Sequence, residues 1–359
     1  MGKKLKVGVF FGGKSAEHEI SINSARSIIK NLNRDKYNVV AIAVDREGRF
    51  YTNKSAILKH MPVAGDMLVE TAEIAEADSV NIVNICKQID VAFPVLHGPF
   101  GEDGCIQGIF RYFNVPFSGP DVLGSAVAMD KDIAKRLLVS AGIPTARNAV
   151  FYRHERALID YERLCLELGP ILFVKPANLG SSVGISKVKS PEDFVSALEE
   201  AFLYDNKILV EEFIKAREIE CAVLGNEDPK ASMLGEIMVN SSFYSYSAKY
   251  CDKDGAKMII PAQLPADVSD NIRQLAIKIF RTLCCEGMAR VDFFITDDFR
   301  VFVNEINTIP GFTDESSMYP KLWEASGLSY EKLLDNLLEL AMARHTRNAK
   351  LRAIPKITA

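Results

Sequence analysis

Short apolar runs alternate with segments of helical spacing through the first hundred residues, and this pattern narrows the fold more than any other feature. Leu5–Phe11 is an apolar run, broken only by Lys6, closed by Gly12-Gly13, and Ile20–Leu32 carries apolar residues at helical intervals. Tyr37–Val44 is strand-like again, and Ile89–Leu96 is another apolar run, followed by His97-Gly98. Runs without polar alternation belong to strands buried on both faces, and strands separated by helices pair in parallel. The expectation is an α/β chain whose N-terminal domain, residues 1–121, is a doubly wound parallel sheet.

The pattern changes near Gly124. A helix is expected over Ser125–Ala141, stopped by Gly142, then strands at Pro170–Pro176 and Lys207–Phe213. Ser190-Pro191-Glu192-Asp193 is a strong helix start, with a capping serine, proline in the first turn and acids at the positive end. These elements make a second domain, 122–212. Beyond it, Ile219–Leu224, Leu234–Val239, Met288–Ile295 and Arg300–Ile306 read as antiparallel strands, the last two joined at Asp297-Asp298. Helices are expected over Pro265–Cys284 and Ser329–Ala343, completing a third domain, 213–359. Between the strand Leu234–Val239 and the first of these helices, Asn240–Ala262 is polar, aromatic-rich and without period, as in a functional or disordered loop.

The chain has 359 residues, too many for one small core, and a net charge of −4, without the basic excess of a nucleic-acid protein. Its 7 cysteines form no C-x-x-C pair, which fits a reducing compartment. The apolar run Val7–Phe11 is shorter than a signal core, and no stretch is long enough to span a bilayer. A cytoplasmic protein with no nucleic-acid or membrane partner is expected.

Gly8 to Ser15 satisfies the pattern G-x-x-x-x-G-K-[ST], but Val9-Phe10-Phe11 belong to a buried strand rather than an exposed phosphate cradle. A strand ending in a turn is the preferred reading, with Glu17 and Glu19 at the mouth of the sheet, where ligands bind in such folds. A regulatory nucleotide switch centred on Lys14 is the competing class, and a non-catalytic binding module a third.

A second phosphate device is better placed. Lys175-Pro176 closes a strand and Gly180-Ser181-Ser182-Val183-Gly184 follows, so the loop's N–H groups can fold over a triphosphate beside a strand-end cation. A plain flexible hairpin is the alternative. Arg290 and Asp292 share one strand face, and Glu305 and Asn307 share another by the same period. Their oxygens can hold one or two Mg²⁺ ions, which accept carboxylates and phosphate oxygens. Thr308 to Thr313 leaves that strand through Pro310-Gly311, whose N–H groups, with Arg290, can stabilise an oxyanion; an ordinary turn is the plainer reading.

Taken together, these strings resemble the ATP-grasp superfamily and, within it, the D-alanine–D-alanine ligases. The resemblance runs from about residue 5 to 345 through GGKSAEHEIS at 12–21, HGPFGEDGCIQG at 97–108, Met129-Asp130-Lys131, Lys175 with Gly180–Gly184, FYSYSAKY at 243–250, and Arg290 to Thr313. It implies a three-domain ATP-grasp architecture with ATP between the second and third domains. By resemblance, Lys131, Lys175 and Lys249 serve ATP, Ser182 lies in the flap, the stretch Glu211, Glu212, Phe213 and Ile214 reads adenine, and Glu218 takes the ribose. Asp292, Glu305 and Asn307 match the ligands of two Mg²⁺ ions, with Mn²⁺ as a substitute. Glu17, Ser181 and Tyr250 match a hydrogen-bonded triad, and Arg290 and Gly311 the groups around the reacting carboxylate. His97 is placed near substrate. The implied reaction joins two D-alanines through an acyl phosphate for peptidoglycan synthesis, by a homodimer.

Tyr250 at the end of the lid loop, and Met318, which cannot hydrogen-bond a serine hydroxyl, favour D-alanine over D-lactate or D-serine as second substrate. The segment Thr313 to Pro320 is one residue longer than the family's spacing, so either Ser316 or Ser317 meets the second carboxylate.

Overall fold

The computed structural model describes residues 4–68, 71–72, 79–239 and 256–352. Its first sheet comprises β1 (Leu5–Gly12), β2 (Tyr37–Val44), β3 (Phe50–Tyr51) and β4 (Val91–Pro94), in the order β3-β2-β1-β4. β1 pairs in parallel with β2 and β4, and only the edge strand β3 runs antiparallel. Alternate residues of β1 enter different cores: Val7, Val9 and Phe11 meet Ile22, Ala25 and Ile28 of helix His18–Asn31. Phe10, from the other face, packs edge-on to Phe110 of helix Cys105–Tyr112, with ring centroids 4.9 Å apart. Burial on both faces explains the apolar run.

Gly8 lies inside β1, where an added Cβ would stand 2.7 Å from Ile42 Cδ1, and the turn follows at Gly12 and Gly13 with φ of 91° and 93°. Lys14 Nζ stands 4.6 Å from the centre of the Phe100 ring. The string is therefore a strand and a turn, not a phosphate loop.

The second sheet is antiparallel throughout: β5 (Asn148–Tyr152), β6 (Leu172–Pro176), β7 (Ser186–Val188) and β8 (Lys207–Glu212), ordered β5-β8-β6-β7. Helix Pro191–Tyr204 covers it, capped as expected by Ser190 Oγ, which accepts the Asp193 N–H at 3.1 Å. The single helix expected over Ser125–Ala141 is instead two, Val122–Met129 and Lys131–Ser140. Asp130 breaks it by taking an extended backbone (φ −82°, ψ 104°) and capping the second helix through the Ile133 N–H. An N-cap residue must leave helical geometry to do this.

The third sheet contains β9 (Arg217–Gly225), β10 (Lys230–Val239), β11 (Ala256–Ile259), β12 (Gly287–Ile295) and β13 (Val301–Asn307), ordered β11-β10-β9-β12-β13 and antiparallel. Strand β11 corrects the expectation of an unbroken loop over Asn240–Ala262. It is a four-residue edge strand on β10, too short for its alternation to stand out. Residues 240–255, with Lys249, Tyr250 and the other lid aromatics, lie outside the described residues.

Helix Tyr330–Asn348 seats the third sheet on the first. Leu333, Leu334, Leu337 and Leu338 join the core under β1, and Asp335 accepts from Tyr37 Oη at 2.8 Å and Lys36 Nζ at 2.5 Å. Arg344 donates to the carbonyls of Gly119 (2.6 Å) and Phe117 (2.7 Å). The end of β13 is thereby held against the carboxyl ends of β1 and β4.

Candidate active site

At that junction the β12–β13 pair supplies most of the charge. Arg290 opposes Asn307 and Asp292 opposes Glu305, so all four side chains share a face, and the register slips beyond Asp292. Arg290 grips Asp292 with two hydrogen bonds of 2.7 Å and lies 3.0 Å from Glu220 on β9. Burial works against the Arg290 charge, but Asp292 and Glu220 more than offset it and hold the guanidinium firmly protonated. Asn307 Nδ2 donates to Asp292 Oδ2 at 2.9 Å. Lys131 Nζ lies 3.5 Å from Glu305 and donates to the Leu179 carbonyl at 2.6 Å, which brings the flap's approach to the same place.

Two carboxylates and a carboxamide on adjacent strands form an oxygen-donor set suited to a hard divalent cation. Among the described residues no group of three His, Cys, Asp or Glu forms a metal cluster. The third donor here is an amide, and Arg290 and Lys131 already share the carboxylates.

The flap presents Ser181 and Ser182 in left-handed backbone, φ 54° and 58°. Ser181 Oγ donates to Glu17, which sits at the start of helix His18–Asn31. Ser15 Oγ accepts the Glu17 N–H at 3.1 Å and donates to the His97 carbonyl at 2.6 Å, locking the two sheet-end loops together. His97 has partners on both ring nitrogens, the Ile309 carbonyl at 2.9 Å and Ser24 Oγ at 3.1 Å. Nδ1 must donate to the carbonyl, and burial favours the neutral ring by lowering its pKa. His97 thus orients the turn after β13.

Behind the flap, Lys175 at the end of β6 lies 2.6 Å from Glu211, which Lys135 approaches to 3.0 Å from the other side. Burial would raise the Glu211 carboxyl, yet the two lysines hold it below the usual range. The stretch after it is splayed: Glu212 turns outward to Arg147 (2.7 Å), Phe213 lies under Lys187 (4.0 Å), and Ile214 is half-buried. Glu218 is half-buried on β9.

One narrow cavity of about 60 Å³ is lined by Glu17, His97, Ser181, Arg290, Glu305, Asn307 and Gly311, together with Glu102. Ser317 borders it through Gly311, where an added Cβ would lie 2.7 Å from Ser317 Oγ, whereas Ser316 is exposed. Met318 lies away from it, buried in the core against Gly235. Glu102 had no role in the sequence reading, although it falls in the string 97–108. Its carboxylate accepts the N–H groups of Gly98 (2.8 Å) and Ile309 (3.3 Å). Burial, with Glu17 adding repulsion, pushes its carboxyl up to about 8. Lys135 and Glu220 were also missed. The signals were present in the four-residue spacing from Lys131 and in the alternation of Glu218 with Glu220.

A parallel sheet set against two antiparallel sheets, with a glycine-rich flap and lysines facing a carboxylate hairpin, defines the ATP-grasp class. Two family models match the chain, described as D-ala D-ala ligase N-terminus over residues 6–120 and D-ala D-ala ligase C-terminus over residues 137–339. A D-alanine–D-alanine ligase of Shouchella clausii is 49% identical, over 98% of each chain. The solved ligase of Coxiella burnetii shares 40% identity with a TM-score of 0.82 over 97% of each chain. A D-Ala:D-Ser ligase from Enterococcus faecalis shares 34% with a TM-score of 0.81, over 94% of this chain and 100% of its own. The chain belongs to the D-alanine–D-alanine ligase family.

Proposed function

We propose that this protein joins two molecules of D-alanine at the expense of ATP, giving D-alanyl-D-alanine, ADP and phosphate for peptidoglycan precursors. The observation that carries this is the single cavity on which Glu17–Ser181, Arg290, Glu305, Asn307 and Gly311 converge. Lys131 and Lys175 hold the nucleotide phosphates, the Glu211–Ile214 stretch receives adenine, and Glu218 receives ribose. Arg290 and the Gly311 N–H hold the first D-alanine by its carboxylate, which attacks the γ-phosphorus and releases ADP. The amine of the second D-alanine, held through Ser317, then attacks the acyl carbon, loses a proton and expels phosphate. Positioning and charge neutralisation supply most of the acceleration in such transfers. Lys249 and Tyr250 complete the lid that excludes water.

Asp292, Glu305 and Asn307 would hold two Mg²⁺ ions, or Mn²⁺ in their place. When bound, these ions neutralise charge on the phosphates. Residues 1–121, 122–212 and 213–359 are proposed as the three domains. A cytoplasmic location is part of the same reading; among the described residues no helix is long and apolar enough to cross a membrane. A homodimer is proposed from the resemblance to the family.

A second reading, D-serine as the second substrate, draws on the likeness to the Enterococcus faecalis enzyme. Phosphate release from ATP and Mg²⁺ with D-alanine, L-alanine, D-serine or D-lactate, with product masses, decides between them. D-Alanine-dependent release with the dipeptide formed is expected. Release indifferent to D-alanine removes the substrate assignment.

A further inference from the structure

The buried ion group behind the flap has one member with no part in the reaction just described. Lys135 lies one helical turn beyond Lys131 on helix Lys131–Ser140. Its side chain is 5% exposed, beside Glu211 at 4% and Lys175 at 7%. Lys175 hydrogen-bonds Glu211 Oε2. Lys135 approaches Oε1 to 3.0 Å and also donates to the Ala146 carbonyl at 3.3 Å.

Two ammonium groups around one carboxylate leave a net positive charge in a low-dielectric pocket. Such a charge is costly until an anion joins it. Lys175, at the strand end below the glycine-rich flap, is the member placed to meet that anion. Its ammonium can turn toward a phosphate only by loosening its hold on Glu211. Without a second cation, that motion would leave a buried bare carboxylate beside an incoming polyanion.

We propose that Lys135 is a positioning residue for nucleotide binding, neutralising Glu211 so that the Lys175 ammonium is available to the phosphates. The proposal rests on the ATP reading above and assigns a task to a lysine that need not touch ATP. Lys175 is the contact, Glu211 its holder, and Lys135 the counter-charge that lets the holder release it.

The test is ATP binding to the full-length protein by titration calorimetry, with steady-state kinetics, for wild type, Lys135→Met, Lys135→Arg, Glu211→Gln and the double variant Lys135→Met/Glu211→Gln. Lys135→Met is expected to weaken ATP binding and raise KM for ATP roughly tenfold, while kcat at saturating ATP and KM for D-alanine stay within about twofold. Lys135→Arg restores most of the affinity. In the Glu211→Gln background there is no carboxylate to trap Lys175, so adding Lys135→Met costs less than about twofold. A lysine that only braces the helix would instead cost the same in both backgrounds, and that result overturns the proposal. So does an unchanged ATP affinity in Lys135→Met. If Lys135→Met fails to fold, Lys135→Gln, which also removes the charge, takes its place in both backgrounds and carries the same comparison. A wild-type protein that binds no ATP would remove the nucleotide reading itself, a failure distinct from equal penalties in a protein that does bind.

Discussion

Replacing Ser181 by alanine and, separately, by glycine disentangles two effects that coincide at one position. Ser181 has φ of 54°, a left-handed backbone that costs a residue bearing Cβ about 1 kcal/mol relative to glycine. Its hydroxyl donates to the Glu17 carboxylate, and a hydrogen bond to a charged acceptor contributes about 1.5–3 kcal/mol. The bond therefore outweighs the strain and draws the flap toward the first sheet. Ser181→Ala keeps the strained backbone and loses the bond, so kcat/KM for D-alanine should fall by about 10- to 100-fold. Ser181→Gly loses the same bond but relieves the strain, so it should retain roughly fivefold more activity than the alanine variant. Initial rates of phosphate release at subsaturating D-alanine read both values, and limited proteolysis near residues 180–184 reports flap opening. A glycine variant worse than alanine would show that backbone order in the flap, not the latch to Glu17, governs activity. An alanine variant within about twofold of wild type would remove the latch from the mechanism.

Lys14→Ala should leave ATP affinity unchanged and cost at most about 1 kcal/mol of stability from its contact with Phe100, whereas Lys175→Ala abolishes binding; isothermal titration of both variants checks this. Arg290→Met strands Glu220 and Asp292 without their guanidinium and should lower unfolding free energy in urea by about 3–5 kcal/mol, with a loss under about 1 kcal/mol contradicting the geometry. Because the Glu102 carboxyl is raised from 4.5 to about 8, the folded protein keeps a proton that the unfolded chain has lost. Its contribution to stability is therefore complete below about pH 4.5 and is lost as pH rises through about 8. Glu102→Gln should flatten that decline in Tm between pH 5 and pH 9, and parallel curves would exclude the carboxyl as its source.

What could be read before the fold was known follows from how each element is stabilised. The parallel sheet was legible because β1 is buried on both faces, which leaves a short apolar run closed by a glycine turn that neither an amphipathic helix nor an exposed strand produces. The hairpin of Asp292 and Glu305 was legible because strand period alone puts Arg290 with Asp292 and Glu305 with Asn307. The break at Asp130 was not, because a capping aspartate within an otherwise helical pattern looks like one more polar residue until its side chain is seen to bond Ile133. Strand β11 escaped for a related reason: a short edge strand draws its stability from pairing with β10, and pairing leaves little mark on so few residues.

The site divides along the same line. Residues that meet the reactants stand at strand ends and in glycine-rich turns, where backbone demands and chemical identity coincide in short strings. The groups that set their charge state come from elsewhere in the chain. Glu220 reaches Arg290 across a strand pair, Lys135 reaches Glu211 from a helix, and Glu102 reaches Ile309 across more than two hundred residues. The Glu220 contact depends on the pairing of β9 with β12, the Lys135 contact on how its helix meets β8, and the Glu102 contact on how the first sheet is seated on the third. That seating comes from the leucines of helix Tyr330–Asn348 and its Asp335 tie to Tyr37 and Lys36. A change at Asp335, which touches no reactant, would loosen the first sheet from the third. It would shift Glu17, His97 and Glu102 together relative to Arg290, and so disturb the cavity more widely than the loss of any one residue that lines it.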